Sequence, residues 1–223
     1  MTADLPLQLD RMAIEEVGLN PEKLAWAIHQ QLAMTSGSVP VYAIARALDI
    51  TELREAELSN LEGMLLTTPE RTTGSILVNS RSSYERRRFS VGHELGHFLI
   101  LTHQSVYADG FRCSAKDMIE AGKIEDRNRR QEAEANRFAI NLLAPVHLMR
   151  RSLDRLPDLE HVLSVSSELE ISKEAAARRY VELHQHDLAV VFSKNSRMLY
   201  WSSGKDFPRL ALRKGEQIPF HFN

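Results

Sequence analysis

His93-Glu94-Leu95-Gly96-His97 lies inside an apolar run, with Phe89 and Val91 before it and Phe98-Leu99-Ile100-Leu101 after it. The five residues match H-E-x-x-H, in which two histidines bind zinc and the glutamate acts as general base. On a helix, positions i and i+4 lie about one turn apart on the same face, so two imidazoles there can reach one tetrahedral ion. Glu94, about 100° round from His93, is badly placed as a ligand but can reach a nearby water. The competing reading is a buried helix that happens to carry two histidines. Its apolar flanks argue against that: two imidazoles and a carboxylate in such a setting need partners, and a metal supplies them.

A zinc hydrolase needs a third protein ligand and an open position for water. Residues 130–143 are the place to look, because Ala135, Phe138, Ala139, Leu142 and Leu143 recur at helical spacing up to Pro145. On that helix Glu132 falls in the apolar stripe with Ala135, Asn136 and Ala139, and Glu134 falls on the edge toward Arg137 and Asn141. A carboxylate facing the core needs a partner more than one facing water, so Glu132 is the better ligand. Glu134 fits an exposed glutamate favoured by the helix dipole. Asn136, one turn after Glu132, is placed to hold a histidine ring or the Glu132 carboxylate. The alanines at 133, 135 and 139 suit close packing on the His93–His97 helix. No residue is marked as an oxyanion donor; Tyr84 and His103 are near in sequence, and both read as structural.

These residues also carry a resemblance. HELGH, then Glu132-Ala133-Glu134-Ala135-Asn136-Arg137-Phe138-Ala139, then Leu142-Leu143-Ala144-Pro145, resembles the ImmA/IrrE family of small bacterial and phage metallopeptidases. Gly74–Asn79 and Arg88–Val91 fit the approach to the first motif, and the likeness runs from about Val39 to Met149, more weakly to Leu183. Ala144 departs from the methionine more usual there. The resemblance implies a gluzincin-like site with Glu132 as third ligand. It also implies a regulatory peptidase that cleaves, or otherwise inactivates, a DNA-binding repressor.

At 223 residues the chain can hold one domain with a small appendage. A net charge of −2 gives no global reason to expect nucleic-acid binding. The single cysteine, Cys113, cannot form an internal disulfide, and Met1-Thr2-Ala3-Asp4 lacks the basic and apolar regions of a signal peptide. No run approaches the length of a membrane span. The expectation is a cytoplasmic protein with no membrane contact.

The expected architecture is α+β: a mainly helical, zincin-like peptidase domain over 1–150, a helix-turn-helix-like pair over 151–183, and a small β-rich module over 184–223. Residues 1–20 read as irregular or a short helix, Asn20-Pro21-Glu22 as a helix start, and 40–48 as a second helix. Leu61–Thr67 and Ser75–Asn79 read as a strand pair, and the zinc-motif helix begins near Arg86. The 104–127 connection reads as a rim or gate. Helices are expected over Leu159–Leu169 and Ser172–Leu183, and strands at 188–192 and 198–202, with short additions at 210–212 and 218–220.

Val165–Glu182 resembles a helix-turn-helix, with Lys173, Arg178 and Arg179 as its exposed cations. The surrounding Glu160, Glu168, Glu170, Glu174 and Glu182 oppose phosphate contact. Arg86-Arg87-Arg88 and Arg127, Arg129, Arg130 read as solvated helix ends, and His184, His186 and His221 as surface or loop residues. The functional expectation is a zinc-dependent endopeptidase using His93, His97 and Glu132 as ligands and Glu94 as base. Two alternatives remain: a metal-stabilised, non-catalytic repressor-binding protein, and a DNA-binding regulator using residues 158–183.

Overall fold

The computed structural model describes residues 6–104, 110–113 and 127–218. Over these the chain is a mixed α+β protein, mainly helical, with two small sheets. The first layer is α1 (Arg11–Glu15), α2 (Pro21–Leu32) and α3 (Val41–Ala47). Helix α2 begins at the expected cap: Asn20 Oδ1 accepts from the backbone N–H of Glu22 and Lys23 at 3.0 and 2.9 Å, and Pro21 at N1 has no donor to satisfy.

Next come β1 (Ile50–Ala56), β2 (Gly63–Thr67) and β3 (Gly74–Asn79), then the long helix α4 (Tyr84–Leu99) and a short strand β4 (Gly110–Cys113). The sheet order is β1-β3-β2-β4. The expected strand pair is its antiparallel centre, with Leu65 opposite Ile76. Alternate residues Gly74, Ile76 and Val78 face the core, as the pleat requires. Strand β1 joins β3 in parallel and β4 joins β2 antiparallel. Neither was expected from the sequence. In β1 only Ile50 is buried, and the charges that follow protect an exposed sheet edge. Beyond β4, the 104–127 connection lies mostly outside the described residues.

Ser83 caps α4, its Oγ accepting from Arg86 N at 3.3 Å, so the helix starts two residues before the expected Arg86. Helix α5 (Arg127–Leu143) packs along it. The approach is close because a Cβ on Gly92 would lie 3.4 Å from Ala139 Cβ, and one on Gly96 would lie 3.2 Å from Ala135 Cα. Ala135 and Ala139 thus serve the packing expected of them, while Ala133 lines a groove described below.

Helices α6 (Val146–Leu153), α7 (Leu159–Leu169) and α8 (Lys173–Leu183) follow. Ser172 caps α8 through Ala175 N at 3.1 Å. Buried residues from Ile14 to Tyr180 form one continuous apolar core. The C-terminal hairpin, β5 (Ala189–Lys194) and β6 (Arg197–Ser203), meets it through half-buried Val190 and Phe192. Its loop is only Asn195-Ser196, both with positive φ, the two-residue turn whose twist matches the strands. Leu210–Leu212 forms no strand; instead Gln217 bridges to Arg197. Residues 219 and 220 lie outside the described residues. Among the described residues, no helix is long and apolar enough to cross a membrane.

Three buried arginines hold helix ends in place. Arg88 Nη2 donates to Val39 O at 2.8 Å, and its Nε to Glu170 O at 3.2 Å, tying α4 to the end of α7. It is therefore a buried clamp, which corrects its reading as a solvated terminus. Arg179 Nε donates to Ala144 O at 3.1 Å and Nη2 to Asn141 Oδ1 at 2.7 Å, so it is no exposed cation. Arg71 donates to the carbonyls of His97 and Phe98 in the last turn of α4 and of Ile100 and His103 just past it. Burial, with Arg11 nearby, pulls Arg71 down to about 10, so it stays charged at neutral pH. Removing it strands carbonyls that have no helical donors. Arg71→Ala is expected to lose about 3 kcal/mol of unfolding free energy in urea titration. A loss of less than about 1 kcal/mol would mean that water replaces the guanidinium.

Candidate metal centre

The site is built where α4 crosses α5. One turn of α4 sets His93 Nε2 3.1 Å from His97 Nε2. From α5, Glu132 brings Oε2 to 3.1 Å from His93 Nε2 and Oε1 to 3.3 Å from His97 Nε2. Both imidazoles are fully buried. Among the described residues these three form the one histidine and carboxylate cluster with metal-ligand spacing. Donors around a tetrahedral zinc, with bonds of about 2.0–2.1 Å, sit about 3.4 Å apart, so the triangle fits such an ion. The donor set, two imidazoles and one carboxylate, suits zinc chemistry and leaves a position open.

The rings are oriented from behind. His93 Nδ1 donates to Asn136 Oδ1 at 2.9 Å, which leaves the Nε2 lone pair facing the cluster. His97 Nδ1 lies 2.9 Å from Nδ1 of His103, and His103 Nε2 lies 3.0 Å from Glu134 Oε2. Phe111 of β4 stacks on His97 with ring centroids 4.5 Å apart. From the sequence, His103 reads as structural and Glu134 as an exposed glutamate; Phe111, and the place of all three behind His97, are what sequence reasoning missed here. Their signal was weak: one histidine six positions after His97, a second glutamate in the E-x-E pair, and one aromatic in an aperiodic stretch.

Electrostatics agree with the geometry. Burial opposes charge on both ligand histidines and takes His97 down to about 3. On His93, the hydrogen bond to Glu132 and the charges of Glu94 and Glu132 outweigh burial and raise it. Burial would raise Glu132, but the bonds from the two histidines dominate and hold it well below the usual carboxylate range. Glu132 is therefore an anion. An anionic carboxylate between two imidazole nitrogens is a donor set whose charge a divalent cation compensates. Burial brings His103 to about 4 despite Glu134, so its ring is neutral at pH 7.

Glu94 is fully buried beside Gly63 at the start of β2. A Cβ at Gly63 would sit 2.5 Å from Glu94 Oε1, so the bare glycine makes the room that the carboxylate occupies. In Gly63→Ala the new Cβ meets Glu94 first and must push it aside. Cleavage is expected to fall about ten- to a hundredfold, since small displacements of reacting groups cost that much. Zinc content, measured on the same preparation, should not change. Wild-type turnover in this variant would show that Glu94 tolerates the shift.

The other candidates lie elsewhere. Tyr84 OH is 3.5 Å from Glu170 Oε2 and half exposed. His184, expected at the surface or in a loop, follows α8 as its C-cap and is buried there, with Nε2 3.2 Å from Arg155 O. His186 is exposed, as expected, whereas His221 and the side chain of Cys113 lie outside the described residues. Arg127, Arg129 and Arg130 are exposed.

A groove of about 490 Å³ opens beside the centre, lined by Arg86 and Phe89 of α4, Asn136 and Ile140 of α5, and Ala175 and Arg178 of α8. Phe89 and Asn136 both reach His93, so the groove adjoins the metal donors.

No curated protein matches the chain. The peptidase family described as the IrrE N-terminal-like domain matches residues 51–180, a span that holds the three donors, Glu94 and the residues behind them. That match covers more than half of the chain, and with a His-His-Glu centre of metal-ligand spacing inside it, the chain belongs to the ImmA/IrrE family of peptidases.

Proposed function

We propose that this protein is a zinc-dependent endopeptidase that cuts one partner protein at a restricted site. The observation that carries the reading is the buried His93–His97–Glu132 triangle with Glu94 seated against Gly63. His93, His97 and Glu132 would hold the ion, which supplies Lewis acidity and brings water to a pKa of about 7. Glu94 takes a proton from the attacking water and passes it to the leaving amine. Its full burial excludes bulk solvent from that transfer. Asn136 fixes the His93 ring.

The groove beside the centre is the path for the substrate chain. Among its lining residues Phe89, Ile140 and Ala175 are apolar, which suits an apolar side chain next to the scissile bond. Helix α8 is a wall of this groove, and that favours a substrate-facing role over DNA contact for the 158–183 pair. The burial of Arg179 points the same way. The partner is a DNA-binding transcriptional repressor, which the family resemblance supports, and the setting is the cytoplasm.

The test is selectivity. A zinc-loaded Glu94→Ala protein serves as a trap for the partner, and any captured protein is then offered to wild type. The partner should be cut fully at enzyme concentrations that leave casein intact. Efficient turnover of casein would show an open, unselective cleft and end the single-partner reading.

A further inference from the structure

We propose that His103 and Glu134 form a positioning relay that fixes the tautomer and orientation of His97 for metal binding. The inference rests on His97 being a metal ligand.

His103 follows the end of α4, and its backbone is held on every side. Its N–H donates to Ile100 O at 2.9 Å, and its carbonyl accepts from Arg71 Nη2. The next residue is clamped by an amide pair: Gln104 N donates to Gln131 Oε1 at 2.6 Å, and Gln131 Nε2 donates to Gln104 O at 3.1 Å. The chain is thus turned back so that the His103 ring is buried behind His97, ring centroids 4.9 Å apart.

The hydrogen bonds can be assigned from the two ends. Glu134, whose Oε1 accepts from Arg130 Nε at 3.0 Å, has only acceptor oxygens as a carboxylate. Its contact with His103 Nε2 therefore needs the hydrogen on that nitrogen. As a ligand through Nε2, His97 must carry its hydrogen on Nδ1, so Nδ1 of His103 is the acceptor facing it. The 2.9 Å contact between the two Nδ1 atoms requires one hydrogen, which must belong to His97. His97 with its hydrogen on Nδ1 has its lone pair on Nε2, the atom that faces His93 and Glu132. One carboxylate, two residues from the ligand Glu132, thereby determines which nitrogen of His97 is available to the ion. His93 receives the same service from a single amide, Asn136.

The relay is tested by zinc dissociation constants, measured by chelator competition on the full chain. His103→Leu is expected to weaken binding about ten- to a hundredfold, the range for loss of such supporting groups. His103→Asn places a carbonyl acceptor near the former Nδ1 and should restore affinity to within about threefold of wild type. Glu134→Leu should give a smaller loss than His103→Leu, because His103 then keeps its place but not its assigned hydrogen. Wild-type affinity in His103→Leu overturns the relay, and so does an Asn variant as weak as the Leu variant. If His103→Leu does not fold, the Asn and Glu134→Leu variants decide: Glu134→Leu at wild-type affinity overturns it. His97→Ala is the control. Undiminished zinc binding there removes the metal reading itself, whereas loss there with no effect at 103 or 134 removes only the relay.

Discussion

Alanine at His93, His97 or Glu132 is expected to strip the protein of zinc and of all cleavage, while Glu134→Ala keeps near-full occupancy. The three donors converge at 3.1–3.3 Å, so each supplies one bond that no other described residue is placed to replace. Structural zinc sites are worth about 10–16 kcal/mol in total, so losing one of three protein donors, a share of about 3–5 kcal/mol, should weaken binding about three-hundred- to eight-thousandfold. Glu134 points to His103 and Arg130, away from the triangle, and its loss acts only at second hand. Metal analysis of the four purified variants is the measurement. Full occupancy in Glu132→Ala together with an empty Glu134→Ala protein would exchange the roles of the two glutamates.

The contrast between those glutamates shows what the sequence could express. Helical phase put Glu132 in the apolar stripe, and burial of a carboxylate is a local argument that survives folding. Phase also put Glu134 at the stripe's edge, where nothing local demands a partner. Its partner, His103, arrives only because Arg71 and Gln131 turn the chain after α4, a tertiary event with no periodic signal. The same holds for Arg88 and Arg179: each reads as a surface cation until a neighbouring helix end supplies carbonyls that need donors. Caps were legible for the opposite reason. Asn20 and Ser172 act within three residues of themselves, so spacing alone identifies them. Strand β1 was hidden because an edge strand with one buried residue has no alternation to read.

Glu94→Gln is expected to retain about one zinc per chain and to lose cleavage of the partner by about a hundred- to ten-thousandfold. The amide matches the carboxylate in shape, so it fits the space beside Gly63 and leaves the donors undisturbed. What it cannot do is accept a proton from water and return it to an amine. Kinetics and zinc content on one preparation therefore separate chemistry from assembly, which an alanine at a ligand position cannot do. The experiment also divides the enzyme from a protein that inactivates its partner by contact alone. That alternative shares every ligand, and in it the carboxylate has no work, so Glu94→Gln would still inactivate the partner. Undiminished cleavage by Glu94→Gln would eliminate Glu94 as the base. Inactivation without a cut, in both wild type and variant, would leave the metal with a structural role.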